Sequence, residues 1–320
     1  MAGKIHSVVF TYYGEIIAAG RERQPVAESE LIRLVEDPLL SAIVRATALE
    51  LLRSYPSPGS QATMAKALED DEALLRYTAI RSLESFDSET RLKRIAPKLY
   101  DPVKAVRMEA AMMLSVLPKE RLREDDRNAF DAALAEYREA MLYNADLAAQ
   151  RYNLGNLAVN LGDDDQAVAV YEKSIAIDDR FYPAKVNLAM LYNRQGKNRE
   201  AEKLLREVVD REPGLYEVSY SLGLLLAEMQ QYQDAEHYLG RAASGMNYGR
   251  AHYNHGQVLL ALKRPVQAEQ ALLKALSLDP QSQEFFVALI DFYLKAGQPK
   301  KAKDLAMRTS LEIPGHKSAI

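Results

Sequence analysis

The chain has 320 residues, with 41 basic and 45 acidic side chains mixed along its length and a net charge of −4. That balance gives no electrostatic footprint for nucleic acid, and no 18-residue apolar run is present to span a membrane. The lack of cysteine excludes disulfides, thiolate catalysis and zinc–thiolate sites, and leaves the compartment open.

Residues 1–27 read as an N-terminal helix and connector, opened by Val8-Val9-Phe10-Thr11-Tyr12-Tyr13. Glu15 interrupts the apolar residues after Lys4 and no convincing cleavage site follows, so no signal peptide is read. From 28 to 118 a period of 31 takes over. Arg45, Arg76 and Arg107 stand in Ile43-Val44-Arg45-Ala46-Thr47-Ala48-Leu49, Leu74-Leu75-Arg76-Tyr77-Thr78-Ala79-Ile80 and Ala105-Val106-Arg107-Met108-Glu109-Ala110-Ala111. Asp37-Pro38, Asp70-Asp71 and Asp101-Pro102 precede them. An Asp there accepts from unpaired helix amides, and Pro suits a first helical turn. Each Arg is expected to reach back to that Asp, with Asp37 offset from the other two. The segment resembles three short HEAT-type repeats.

Residues 119–147 form a junction and a partial repeat. Only the charged stretch Lys119 to Asp126 separates a helix at 102–117 from one at 125–144, so the two are expected to pack directly. Further on, Ala133, Ala167, Ala201, Ala235, Ala268 and Ala302 follow one another at 34, 34, 34, 33 and 34 residues. Four residues after each come Tyr137, Tyr171, Leu205, Leu239, Leu272 and Ala306, and three further Ala140, Ser174, Val208, Ala242, Ala275 and Thr309. That spacing holds one helical face. About 13 residues upstream of five of the alanines lie Leu154-Gly155, Leu188-Ala189, Leu222-Gly223, His255-Gly256 and Leu289-Ile290. Gly162-Asp163, Gly196-Lys197, Lys263-Arg264-Pro265 and Gly297-Gln298-Pro299 mark turns, and Pro213, Pro280 and Pro314 close repeats. The pattern resembles the tetratricopeptide repeat, with five copies over 148–316. The fold class expected is all-α: a right-handed α-α superhelix, or solenoid, of HEAT-like then tetratricopeptide repeats.

Both ends look unfinished. Little follows Pro314, so Phe285, Phe286, Leu289, Phe292 and Tyr293 are expected to be partly exposed. Either the chain is a fragment of a longer protein or its ends pair between molecules.

Chemistry is sparse. Of five histidines, His252 and His255 have a metal-compatible spacing, but His255 stands where other repeats place a buried Leu. Asp163-Asp164-Asp165 lacks the alternating ligands of a calcium loop and reads as helix N-terminal charge. Phosphate loops and nucleophile elbows are absent from the sequence. No catalytic residue, metal site or cofactor is assigned.

What remains is surface. In the resembled fold the first helix of each repeat lines a concave face. That maps a peptide groove to Tyr152, Asn153, Asn156 and Asn160, then Asn187, Met190 and Arg194, then Tyr220, and then Arg250, Tyr253, Asn254 and Gln257. Amides suit a peptide backbone and rings suit its side chains, although packing within the repeats would also explain both. Tyr152, Glu217 and Ser221 stand where a carboxylate-gripping relative needs Lys or Arg, which argues against a chaperone-tail receptor.

One resemblance is more specific. Ile43-Val44-Arg45-Ala46-Thr47-Ala48-Leu49-Glu50-Leu51-Leu52, Asp101-Pro102-Val103-Lys104-Ala105-Val106-Arg107, Tyr182-Pro183-Ala184-Lys185-Val186-Asn187-Leu188-Ala189 and Leu222-Gly223-Leu224-Leu225-Leu226-Ala227 occur in this order. The arrangement resembles the C-terminal repeat region of bacterial multihaem c-type cytochromes. The resemblance implies a periplasmic or extracytoplasmic setting and a c-type cytochrome or envelope protein as partner. Without cysteine there is no haem attachment here. The function expected is a non-enzymatic scaffold that binds a protein or peptide in the groove. The alternatives are a cytoplasmic adaptor or co-chaperone-like module and a structural protein that self-associates through its uncapped ends.

Overall fold

The computed structural model describes residues 13–312. The apolar opening expected at 8–12 and the closing Pro314 lie outside the described residues. Helices and short connectors account for all described residues, and no strand occurs among them. The chain divides into two units, Met1–Ala167 and Val168–Ile320.

The first unit begins with helix α1 at 13–21. It continues through α2 (Ala27–Glu36), α3 (Ala42–Leu52), α4 (Pro58–Lys66), α5 (Ala73–Ser82), α6 (Ser88–Ile95), α7 (Lys104–Leu114), α8 (Glu124–Tyr143) and α9 (Ala148–Asn160). Ser57 and Asp87 cap α4 and α6 by accepting backbone N–H bonds, as short polar side chains do at helix starts. Ala48, Ala79 and Ala110, three residues after each periodic arginine, are fully buried. The small residue lets the neighbouring helix approach. One core joins Leu49, Leu75, Ile80 and Val106 to Phe130 of α8, so α7 packs directly on α8 as expected.

The periodic arginines depart from expectation in direction. Arg45 donates to Asp70, and Arg76 to Asp101, each 25 residues ahead rather than back to its own Asp. The local segment supplies backbone acceptors instead: Arg76 donates to the carbonyls of Asp70 and Asp71. The Asp oxygens meanwhile accept from the amide two residues on, at Leu39, Glu72 and Val103, closing turns ahead of the helix. Pro38 and Pro102 lie in these turns and not in a first helical turn.

Helix α10 (Asp164–Ile177) contains the division between the units. The second unit then pairs α11 (Tyr182–Arg194) with α12 (Asn198–Arg211), and α13 (Tyr216–Glu228) with α14 (Tyr232–Gly245). The last pairs are α15 (Gly249–Ala261) with α16 (Pro265–Leu278), and α17 (Gln283–Lys295) with α18 (Pro299–Glu312). Ala201, Ala235, Ala268 and Ala302 are buried on the second helix of each pair, and Leu205, Leu239 and Leu272 join them in the core. A Cβ on Gly223 would come within 2.7 Å of Leu239 Cγ, so α13 and α14 touch where only hydrogen fits.

A left-handed residue closes the first helix of each pair: Gly196, Gln230, Lys263 and Gly297 all have φ between 57° and 75°. The next amide in each case donates back five residues, as from Lys197 to Tyr192 and from Gln231 to Leu226. This is the helix-ending motif that favours glycine.

The terminal aromatics are buried, contrary to expectation. Phe285 and Phe286 are 2% exposed and Leu289, Phe292 and Tyr293 are also enclosed. Helix α18 reaches far enough to place Ala302 against Leu289, Phe292 and Tyr293, while Phe285 stacks on Tyr253 of the preceding pair. These rings are thus covered within the chain itself.

Candidate peptide-binding site

The first helices of the second unit, α11, α13, α15 and α17, repeat two positions of interest. Two residues before the Leu or His marker stand Val186, Tyr220, Tyr253 and Val287, and two after it Met190, Leu224, Gln257 and Asp291. Met190 is 55% exposed, Leu224 38% and Val287 51%, while Tyr220 and Tyr253 are half-buried beside them. Met190 and Leu224 thus remain uncovered at the same position of two successive repeats, and Val287 at the Tyr253 position of α17.

The tyrosines are held from within the unit. Asn254 Nδ2 donates to Tyr220 Oη at 2.7 Å, and Tyr248 meets the Tyr220 ring edge-on with centroids 6.1 Å apart. Burial pushes the Tyr220 hydroxyl above its ordinary value, and the Tyr248 hydroxyl adds to this, while the Asn254 donor and Arg250 pull it back. Tyr253 stacks on Phe285 at 5.0 Å. The Arg250 guanidinium lies 5.4 Å from the Tyr253 ring centre and 5.0 Å from that of Phe285, a cation over π-faces. It also donates to Glu284 at 2.6 Å, which holds that carboxyl below its ordinary value.

The remaining expected groove residues are less closely grouped. Asn187 Nδ2 donates to Tyr171 Oη at 3.4 Å, and Arg194 and Gln257 are exposed. Tyr152, Asn153, Asn156 and Asn160 all lie on α9 of the first unit and are half-buried. There Asn160 donates to Ser115 at 2.9 Å and Asn153 to the Met141 sulfur at 3.7 Å. The amides therefore tie helices together, the role that packing assigns them.

Sequence reasoning overlooked Tyr248, Glu284, Phe285, Leu224 and Val287. Leu224 and Val287 share the register of Met190 and Tyr253, which would have found them. Tyr248 and Glu284 sit at helix starts and carry no periodic mark. His255 Nε2 lies 3.4 Å from Glu236, and burial, then Lys274 and His255, lower His252. Among the described residues no cluster of three or more potential metal ligands occurs.

The family model for HEAT repeats matches residues 31–115. Tetratricopeptide repeat models match 151–181, 186–243 together with 220–283, and 259–320. The chain is a tetratricopeptide repeat protein with HEAT repeats in its first third. As a repeat protein it is a protein-interaction scaffold.

Among curated proteins, this repeat protein is 22% identical over 201 residues to the human "Protein O-mannosyl-transferase TMTC3", covering 58% of this chain and 22% of the relative. The chain thus spans about a fifth of that relative's length. Among solved structures it is similar to MamA from Desulfovibrio magneticus RS-1, with 18% identity and a TM-score of 0.48 over 54% of this chain and 97% of that one. It is also similar to YrrB, described as "a TPR protein with an unusual peptide-binding site", with 21% identity and a TM-score of 0.48 over 56% of this chain and 93% of that one.

Proposed function

We propose that the first-helix face of the second unit binds an extended peptide of a protein partner, and that the protein acts by binding rather than catalysis. The observation that carries this reading is the row of exposed Met190, Leu224 and Val287 beside the half-buried Tyr220 and Tyr253. Met190 and Leu224, matched on two successive repeats, offer spaced apolar contacts to an extended chain, and exposed apolar patches mark interaction surfaces. Asn254 and Arg250 hold the two rings in place, so the surface is set before a ligand arrives, which lowers the cost of binding. The exposed Gln257 supplies a polar contact at its edge.

A peptide selection against wild type, followed by titration of the winners into a Met190→Lys, Leu224→Lys double variant, tests this. Selected peptides are expected to contain spaced apolar residues and to lose at least about tenfold in affinity, with helicity unchanged. Equal binding to the variant removes the reading.

An extracytoplasmic electron-transfer or envelope setting, with a c-type cytochrome as partner, is supported by the sequence resemblance alone. Without cysteine this chain would supply the docking surface and no haem. Affinity purification from membrane and periplasmic extract tests that setting: enrichment of c-type cytochromes favours it, and recovery of cytoplasmic proteins alone counts against it.

A further inference from the structure

The first unit holds an open cavity of about 690 Å³ with walls from α5, α7, α8 and α9, within the roughly 300–1,000 Å³ range of ligand sites. Its lining is mainly apolar, with Met108, Met112 and Met141 prominent and the rings of Tyr77 and Tyr137 beside them. Glu109 stands among these groups. Burial raises its carboxyl above the ordinary 4.5, and Arg81 and the Tyr77 hydroxyl draw it only partly back. The same burial raises Tyr137, with Glu109 the next contributor.

Glu109 is only partly offset by charge: Arg81 draws its carboxyl down, and burial outweighs that. Among the described residues no Lys, Arg or His comes within ion-pair distance of it. Two residues away Arg107 has its own carboxylate, Glu136, at 2.6 Å. Arg81, the one cation lining the cavity, is exposed, with its guanidinium 6.0 Å from the Tyr77 ring centre.

The position is also a departure from the repeat. Counting two residues from the periodic arginines gives Thr47, Thr78 and then Glu109. Both threonines turn their hydroxyls onto carbonyls of their own helix, at Ile43 and Leu74. Only the third copy puts an ionisable group there, and only beside it do α8 and α9 add Tyr137, Met141 and Asn153 to the wall. A half-buried carboxylate whose burial outweighs its partners is unfavourable, and at the wall of an open cavity it leaves room for a further cationic partner beside Tyr77 and Arg81.

We propose that this cavity receives a lysine side chain, flanked by apolar residues, from a peptide segment of a partner protein, with Glu109 as its counter-charge. The ammonium pairs with Glu109 and faces the tyrosine rings, which attract cations. The aliphatic stem lies along the methionines, whose flexible thioethers adapt to irregular shapes. One lysine does not fill the volume, so its apolar neighbours occupy the rest. The site lies wholly in the first unit and stands or falls independently of the face proposed in the second.

The test is methyl NMR of the full chain labelled at methionine, with Met108, Met112 and Met141 assigned by single Met→Leu changes. The probes are acetyl-Leu-Lys-Leu-amide and its twins carrying norleucine or glutamate in place of lysine. The lysine probe is expected to shift these three methyls saturably and to bind at least about fivefold tighter than the norleucine probe, with the glutamate probe weakest. Glu109→Gln, which removes a buried charge and should keep the melting temperature, is expected to erase the lysine preference. Equal binding of lysine and norleucine probes to wild type overturns the proposal even if the variant fails to fold. A preference that survives in Glu109→Gln also overturns it, as do shifts confined to Met190 in the second unit.

Discussion

Arg76 of α5 grips Asp101, ahead of α7, through two hydrogen bonds of 2.6 and 2.9 Å, with the two side chains only 11% and 4% exposed. The same 25-residue step joins Arg45 to Asp70. Arg107 continues the ladder to Glu136 of α8, so it runs past the last HEAT repeat into the junction helix. Asp70 and Asp101 also close turns in their own repeats, which makes each a link between local geometry and stacking. Planar guanidinium forks suit this, since they satisfy a carboxylate and backbone carbonyls together.

Removing one partner leaves the other charge enclosed and unpaired. Asp101→Ala is expected to destabilise the first unit by about 3 kcal/mol or more, and Arg76→Lys by less, because one ammonium cannot span both oxygens. Urea unfolding followed by helicity checks this. A loss under about 0.5 kcal/mol would place the pair with ordinary surface bridges.

Legibility differed by level. The buried alanines at 34-residue spacing were readable because stacking needs small residues at a fixed register. The arginine direction was not: the Asp just before Arg76 and the Asp beyond it are both periodic, and spacing alone does not choose between them. Burial of Phe285 and Phe292 depended on the length of α18 and on Tyr253, both tertiary matters. At the candidate surface the tyrosine register was legible, whereas Arg250 over Phe285 joins two repeats. The Glu109 cavity draws on both repeat types, and its one sequence trace is a glutamate in the register of two threonines.

The acid response follows from the same ladder. Burial pushes the Asp101 carboxyl up, but the Arg76 hydrogen bonds, the Val103 amide, and the charges of Arg76 and Lys98 outweigh it and leave it below its ordinary 3.8. A group depressed on folding contributes stability above its unfolded value and loses it as pH falls through the folded one. First-unit stability from this group is thus expected to be level near neutrality and to fall below about pH 4. In the second unit Asp179, held at about 2 by Lys185 and then Arg211, moves the same way between its ordinary 3.8 and about 2. Thermal melts of wild type and Asp101→Asn should converge as pH drops, and parallel curves would show that the pair does not titrate on unfolding.

Helix contact at Gly223 makes a sharper demand. Its absent side chain leaves room for Leu239, whose Cγ would stand 2.7 Å from an added Cβ. Gly223→Ala gains helix propensity of about 1 kcal/mol but forces α13 and α14 apart, and overpacking costs about 1–3 kcal/mol. The second term is expected to win, giving a net loss in denaturant titration. Gly223→Val should lose more. A stabilised Gly223→Ala would mean that Leu239 moves freely.

The left-handed helix ends offer the opposite outcome. Gln230 has φ 59° and Lys263 φ 57°, where Gly196 and Gly297 occupy the same place in neighbouring repeats. A Cβ in this conformation costs roughly 1 kcal/mol, and both residues lie outside the helix interior, where glycine is least harmful. Gln230→Gly and Lys263→Gly are each expected to stabilise the second unit, by up to about 1 kcal/mol before the larger entropy of an unfolded glycine is subtracted. The sites lie on different repeats without shared partners, so the double variant should gain the sum. Loss of stability in either variant would show that the unfolded-state entropy outweighs the strain and that these ends are relaxed as they stand.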